Sequence, residues 1–462
     1  MPSTSHPAPR EPQPDGPVGP TRDGTSPRLR AVFALWIGIV VLALLARLVV
    51  IGLFDHLLTE DRDAYLSLAR GLAAGRGYVQ PDGRTPTAFR PPLYPLVLAP
   101  ALLAFPEATG VALLNLAAGL ATILAVLSLV GSQKKGAGVL WSPLVAGGIV
   151  AIDPLLLHNT ALPMTEVLAA ALMAIWLRQV VANRVESPHP AVRGPLIEGV
   201  LWGIGALCRP VFLPLGMLVA CWPTPAERHG HWRHWRIRAV WSVCGAALVL
   251  TPWVVRNAVL FGRPIATTTH GGYTLLLGHN PVYYREIVNG PPGAVWDGRS
   301  LEAWQRSLEE ELAAAGIPPS DETARDAWFG ATARKIVFDD PWMAVRSGMT
   351  LMGRFWSVAP SDVAARPLPR VVVWGIAAGN VVVFTLAGIG LVVCLRTRNP
   401  LGETALIALL VFSAVHFVYW SDQRMRAPLV PVLACLAATG FVSAMRWSRG
   451  RDAARSGAAN AE

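Results

Sequence analysis

The sequence has little charge for its length. Only 15% of its 462 residues are charged, and 53% are hydrophobic, whereas soluble globular proteins average about 25% charged residues. Several apolar runs reach the roughly 20 residues that cross the hydrocarbon core of a bilayer. This balance excludes an ordinary soluble domain and predicts an all-α integral membrane protein with many spans.

Cysteine is also scarce, and no metal-ligand spacing occurs. The histidines His229, His231 and His234 lie in a loop rich in arginine, which is typical of a solvated basic segment. We therefore predict no metal site and no cofactor. The cysteines fall in or beside apolar runs and are expected to be small buried side chains rather than disulfide partners; they are Cys208, Cys221, Cys244, Cys394 and Cys435.

The net charge of +10 arises mainly from short loops between the apolar runs. Basic loops of this kind face the cytoplasm, so we attribute the charge to membrane topology and do not expect nucleic-acid binding. With the amino terminus in the cytoplasm, ten spans fit the loop charges. We expect them near residues 31–54, 109–131, 138–152, 162–181, 195–208, 210–222, 239–258, 371–395, 403–420 and 427–445.

The long loop 262–340 differs from the basic loops in the sign of its charge. It has seven basic and eleven acidic residues, so we place it outside the cell, where its amphipathic segments predict a small helical cap. Residues 1–30 contain eight prolines and predict a disordered tail. The predicted regions are a cytoplasmic tail (1–30), a membrane module (31–261) with a first outer loop (55–92), the external region (262–357), the last membrane helices (358–447) and a second disordered tail (448–462).

An acidic cluster opens the first outer loop. Glu60, Asp61 and Asp63 precede the stretch "AYLSLARGLAAG", whose apolar spacing predicts an amphipathic helix. Acids before a helix often serve only as a solvated cap. A carboxylate near arginine side chains can also act as a general base, and the residues alone leave both interpretations open.

Arginine-containing motifs collect at the predicted outer ends of the spans. A single arginine there usually snorkels to the interface or pairs with an acid. Several on one face favour a lipid ligand with an anionic headgroup, because arginine binds phosphate oxygens in a bidentate way. The motifs are "FRPPLYP" with Arg90, "CRP" with Arg209, "TPWVVRN" with Arg256 and Asn257, "GHN" with His279 and Asn280, and "DQRMRAP" with Arg424 and Arg426.

Four stretches in this order resemble the bacterial GT-C glycosyltransferases, which are related to protein O-mannosyltransferases and lipid A aminoarabinose transferases. They extend over most of the membrane region, from about residue 31 to 447. The four stretches are Asp61 and Tyr65 followed by Ala69, Leu72, Gly75 and Gly77; Arg90, Pro92, Tyr94 and Pro95; "PWVVRN" followed by Gly272 to Pro281; and Arg424, Arg426, Pro428 and Pro431.

The resemblance implies a GT-C-type bundle of about 10–12 transmembrane helices in the bacterial cytoplasmic membrane, with an active site that faces outward. It implies inverting transfer of a sugar from a polyprenyl-phosphate donor to a glycolipid, polysaccharide or protein. Asp61 is the expected general base, with Asp63 a close second. The expected phosphate ligands are Arg90, Arg209, Arg256 and Arg424. The other expected substrate-binding residues are Tyr65, Tyr94, Asn257, His279, Asn280 and Arg426.

Two other classes compete with a transferase. A lipid transporter or flippase usually has paired repeats and interrupted helices near the bilayer midplane. We find no convincing repeat, and Arg47 is the clearest charge within a predicted span. A scaffold protein has no reason to collect acids and arginines on one face. The sequence therefore favours the transferase.

Overall fold

The computed structural model describes residues 27–131, 138–185, 192–223, 227, 232–291, 293–294, 296, 298–360 and 368–459. Within these residues the regular secondary structure is helical, apart from one isolated bridge between Val79 and Pro86. Most of the predicted amino-terminal tail, and the loop histidines His229 and His231, lie outside the described residues.

The main helices of the described residues differ widely in length. The first nine are α1 (Pro27–Leu53), α2 (Tyr65–Ala73), α3 (Leu93–Ala104), α4 (Glu107–Gly131), α5 (Gly138–Ile152), α6 (Pro154–Thr160), α7 (Glu166–Val185), α8 (Arg193–Cys208) and α9 (Phe212–Cys221). The remaining ones are α10 (Trp232–Phe261), α11 (Gly271–Gly278), α12 (Gly298–Ala314), α13 (Glu322–Asp339), α14 (Pro341–Phe355), α15 (Arg370–Arg396), α16 (Pro400–Val418) and α17 (Val430–Ala459). A 3-10 helix, Gln423–Leu429, leads into α17.

In the described residues, seven helices are long and apolar enough to cross a membrane, namely α1, α4, α7, α10, α15, α16 and the stretch Gln423–Arg449. A bent pair, α5 and α6, is an eighth candidate with a 46° angle between its halves. Three of the ten predicted spans correspond to the shorter helices α5, α8 and α9. The predicted all-helical, multi-span architecture is confirmed.

Arg47 stabilises the break between α5 and α6. Pro154 has no N–H to donate to Val150, four residues before it, and the Arg47 Nη2 atom donates to that carbonyl oxygen instead, at 3.3 Å. Its Nη1 atom donates to Ala43 O at 3.1 Å. The Arg47 side chain is buried, so it holds the interrupted helix against α1 rather than reaching the interface.

Helices α11–α14 form the cap, and we call the end of the bundle beneath them the cap end. Their apolar faces meet in an aromatic core that includes Tyr283, Trp296 and Trp304. The buried Glu322 of α13 attaches the cap to the first loop, because its carboxylate accepts from Thr87 Oγ1 and from the Ala88 backbone N–H, both at 2.6 Å.

The last helix, α17, extends to Ala459. The sequence predicts a disordered tail from residue 448, and that remains a prediction. Alanine and arginine are frequent in this segment and are both good helix formers, which explains why the helix extends beyond its apolar part.

Candidate active site

A cavity of about 390 Å³ opens at the cap end, within the size range of small-molecule sites. The first loop, the start of α7, the link between α8 and α9, the segment before α11, the end of α16 and the 3-10 helix all contribute to its wall. Its acidic, arginine and histidine lining residues are Asp63, Arg90, Glu166, Arg209, His270, His416 and Arg424.

Asp63 projects into this cavity and is held by two guanidinium groups. Its Oδ1 atom accepts from Arg90 Nη2 at 2.8 Å, and its Oδ2 atom accepts from Arg424 Nη1 at 3.0 Å. Burial raises the pKa of Asp63, but the charges of Arg424 and Arg90 outweigh burial and lower the pKa below the ordinary value of 3.8. The carboxylate is therefore ionised at neutral pH, and it remains 18% exposed.

Asp61 has a different task, although it is two residues away. Its carboxylate accepts from the Leu66 N–H at 2.9 Å and from the Ser67 N–H at 2.7 Å. The Ser67 hydroxyl donates to it as well, at 2.5 Å. Asp61 thus satisfies free N–H groups at the start of α2 and does not line the cavity. Ala64, with a left-handed φ of 63°, follows the two acids and turns the chain into α2.

Arg424 is shared among three carboxylates. Besides Asp63, it donates from Nε to Asp422 Oδ2 at 3.1 Å, and its Nη1 atom lies 3.8 Å from Glu166 Oε1. The same Nη1 atom also donates to the sulfur of Met164 at 3.3 Å. A thioether sulfur is a weak acceptor, so this hydrogen bond is a weak one.

Arg209 shows the same pattern on the neighbouring wall. It donates from Nη2 to Glu166 Oε1 at 2.6 Å and from Nε to Thr165 Oγ1 at 3.0 Å. Its Nη1 atom donates to the sulfur of Met425 at 3.4 Å. Two arginines therefore present N–H groups to weak acceptors, and of the two methionines Met425 lines the cavity whereas Met164 does not.

Three further residues of the cavity are absent from the sequence-based set. Glu166 lies inside the predicted span 162–181, and an acid within an apolar run is itself a functional signal. His270 stacks on Tyr273, with ring centroids 5.0 Å apart. Burial and the charge of Arg90 lower the pKa of His270 well below 6.5, so the imidazole is neutral. His416 stacks on Phe355 near the end of α16.

The structure brings together five of the expected site residues: Asp63, Tyr65, Arg90, Arg209 and Arg424 line the same cavity. Two others lie away from its wall and serve the first loop. Arg256 donates to the carbonyl oxygens of Thr87 and Tyr78, at 2.7 and 2.9 Å. The ring of Tyr94 packs behind Tyr65 at 5.7 Å.

Four more expected residues bind backbone atoms near the cavity without lining it. Asn257 donates to Ile265 O at 3.0 Å. Both ring nitrogens of His279 have a hydrogen-bond partner: Nδ1 lies 3.1 Å from the Tyr284 hydroxyl, and Nε2 lies 2.9 Å from Val418 O. Asn280 accepts from the Tyr283 N–H at 2.8 Å. Arg426 donates to the carbonyl oxygens of Phe355 and Ser357, both at 2.9 Å.

The described residues contain no group of three or more His, Cys, Asp or Glu side chains placed to hold a metal ion. The cavity is instead defined by guanidinium groups, carboxylates and apolar walls.

Fold and cavity together define a multi-span helical membrane protein with a charged cavity at one end of its bundle. Among solved structures, the chain is similar to ArnT from Cupriavidus metallidurans bound to undecaprenyl phosphate, with 16% identity, a TM-score of 0.39, and coverage of 88% of this chain and 77% of that one. It is also similar to the apo state of that protein, with 16% identity, a TM-score of 0.39 and coverage of 89% and 78%. No protein-family model and no curated protein matches the sequence.

Proposed function

We propose that the protein is a GT-C-type glycosyltransferase that moves a sugar, with inversion, from a polyprenyl-phosphate donor to an acceptor outside the bacterial cytoplasmic membrane. One observation carries this proposal. Asp63 is held between Arg90 and Arg424 inside a cavity that Arg209 also lines. Transfer of a group from a phosphate uses a base for the attacking hydroxyl and positive charge for the departing phosphate. The carboxylate and the guanidinium groups of this cavity can supply both.

The arginines are suited to the donor phosphate. Arg209 directs an N–H group at the sulfur of Met425, which lines the cavity, and a bound phosphate would replace this weak acceptor with an anionic oxygen. Arg424 lines the same cavity and would add a second guanidinium. Bidentate guanidinium–phosphate bonds also fix orientation. The apolar residues Val211, Pro214 and Val415 line the same cavity and offer a surface for the first isoprene units.

Asp63 is the general base in this mechanism. It takes the proton of an acceptor hydroxyl, whose oxygen attacks the anomeric carbon from the face opposite the phosphate. The bond between the anomeric carbon and the phosphate oxygen breaks, and polyprenyl phosphate leaves with the bonding electrons. Donor binding draws Arg90 and Arg424 toward the phosphate. The two guanidinium groups then stabilise the Asp63 carboxylate less, and the pKa of Asp63 rises toward that of a useful base.

A lipid transporter is the second candidate, because the interrupted pair α5–α6 is a feature of transporters. In this chain the carbonyl oxygen freed at the break is already bonded to Arg47, so the break has a structural explanation. The two functions differ in whether a covalent bond is broken.

The test uses the purified full chain in proteoliposomes with a panel of radiolabelled farnesyl-phosphoryl sugars and delipidated cell envelope as acceptor. We expect one donor to lose its sugar to the acceptor, with one farnesyl phosphate released per sugar and with the opposite anomeric configuration in the product. Movement of the intact donor across the bilayer without cleavage would support the transporter instead. Absence of both cleavage and movement for every donor would refute both functions.

A further inference from the structure

Glu166 has an unsatisfied carboxylate oxygen in the cavity. The side chain is 1% exposed, and its Oε1 atom accepts from Arg209 at 2.6 Å. Its Oε2 atom accepts no hydrogen bond from any described residue. Leaving a buried acceptor unpaired costs about 1–3 kcal/mol, and more for a charged group, so such atoms in native proteins call for an explanation.

His416 presents a second group of the same kind. Its residue is 8% exposed, and its ring stacks on Phe355 with centroids 4.9 Å apart. Neither ring nitrogen has a hydrogen-bond partner in the part of the chain that the structure describes. A neutral imidazole offers one donor and one acceptor, and this one lines the same cavity as Glu166.

We propose that Glu166 and His416 form the subsite that binds the hydroxyl groups of the transferred sugar. This inference rests on the proposed function and names the part of the donor that these two residues recognise. A carboxylate oxygen repels phosphate but accepts a hydrogen bond from a sugar hydroxyl. The imidazole can donate to a second hydroxyl oxygen or accept from its hydrogen.

Depth in the cavity separates this subsite from the acceptor. Asp63 is 18% exposed, whereas the Glu166 side chain is 1% exposed. A bulky acceptor can therefore reach Asp63 more readily than Glu166. Arg209 connects the two parts, because its guanidinium binds Glu166 on one side and points an N–H group at Met425 on another.

Glu198 provides a matched control. It is a fully buried glutamate in the same bundle, its Oε2 atom accepts from Asn183 Nδ2 at 2.9 Å, and its Oε1 atom accepts no bond from a described residue. It does not line the cavity. Glu198→Gln therefore reproduces the general effect of replacing a buried glutamate by glutamine without touching the proposed subsite.

The test measures binding to the full chain in nanodiscs with two probes of equal charge. One is the best-bound farnesyl-phosphoryl sugar of a panel, and the other is farnesyl methyl phosphate, which has no sugar. Glu166→Gln keeps an oxygen for Arg209 and places an amide donor in the cavity. We expect it to weaken the sugar probe about 10- to 100-fold, the usual range for a hydrogen bond to a charged group, and to leave the methyl ester unchanged.

His416→Phe preserves the aromatic stack and removes the ring nitrogens. We expect it to weaken the sugar probe about tenfold, again without effect on the methyl ester, and Glu198→Gln to change neither. Equal weakening of both probes by Glu166→Gln would show that it acts through Arg209 and would overturn the inference, as would no weakening of either. A wild-type chain that binds neither probe would refute the proposed function itself.

Discussion

The two ends of the membrane bundle both contain buried arginine–carboxylate clusters, but the arginines have different partners. At the end opposite the cap, Arg238 donates to the Glu227 carboxylate, to Trp222 O at 2.8 Å and to Val219 O at 3.4 Å. These carbonyl groups lie at the carboxyl end of α9, where Val219 O also accepts from the Trp222 N–H at 3.3 Å. At the cap end, Arg209 and Arg424 direct N–H groups at thioether sulfurs.

The difference separates an arginine that binds backbone carbonyl groups from the arginines that we propose bind a ligand. Backbone carbonyl groups at a helix end are fixed and need a permanent donor, so an arginine that binds them is occupied. Met425 lines the cavity, and its sulfur is a weak acceptor on a flexible side chain, so a ligand in the cavity can replace it as the partner of Arg209. The acceptors around an arginine therefore indicate its role better than its charge or burial.

The largest expected difference is between Arg424→Gln and Arg238→Gln. Removal of the Arg424 guanidinium should lower the rate of sugar transfer about 10²- to 10³-fold, as loss of a group that stabilises developing charge does. Arg238→Gln should leave the transfer rate of the folded protein unchanged. It should lower the free energy of unfolding by about 1–3 kcal/mol, because the hydrogen bonds from the Arg238 guanidinium to Val219 O and Trp222 O are lost. Transfer assays and thermal unfolding in detergent measure the two effects, and equal loss of transfer in both variants would remove the distinction between the ends.

A smaller effect is expected within the cap, where α11 packs closely against α13. A Cβ atom on Gly272 would lie 2.0 Å from the backbone oxygen of Asp326, so Gly272→Ala must move α11 away from α13. We expect a loss of about 1–3 kcal/mol in stability and slower transfer, because α11 adjoins His270. Gly353→Ala on α14 is the control, since its Cβ atom meets nothing within 4 Å. Equal stability of the two variants would contradict this packing.

The smallest expected effect is that of pH. Because the folded pKa of Asp63 is depressed, its ion pairs contribute stability above the unfolded pKa and lose it only as pH falls through the folded value, below 3.8. Burial and the charge of Arg90 lower the pKa of His270 well below 6.5, so its imidazole is neutral near pH 7. We therefore expect kcat/KM to show no acid limb near pH 6.5, the ordinary pKa of histidine. An acid limb centred near pH 6.5 would mean that His270 gains a proton, contrary to its burial.

The sequence predicts the spans and the cap helices well, because both depend on composition and periodicity. It does not distinguish Asp61 from Asp63. The two acids are separated by one residue, yet Asp61 binds N–H groups at the start of α2 whereas Asp63 lines the cavity, and no local sequence pattern separates these two roles. The resemblance favours Asp61, whereas the cavity favours Asp63.

The sequence-based set also omits the cavity residue Glu166 and includes two residues that do not line the cavity, Arg256 and Asn257. Glu166 is a single acid in an apolar run and has no neighbouring motif. Arg256 and Asn257 have the residue types of a ligand site, but they bind carbonyl oxygens of the first loop and of Ile265. Polar residues at helix ends have such backbone partners within reach, and only three-dimensional contacts decide between a backbone role and a ligand role.

The most direct test of the account is the ratio of transfer rates of Asp63→Asn and Asp61→Asn, measured in proteoliposomes with binding of farnesyl methyl phosphate as the control for folding. We predict that Asp63→Asn lowers kcat by about 10²- to 10⁴-fold, the contribution of a general base, and still binds the probe. Asp61→Asn should transfer sugar at close to the wild-type rate, because asparagine also caps helices. Loss of transfer in Asp61→Asn with normal transfer in Asp63→Asn would contradict the assignment of the cavity carboxylate as the base.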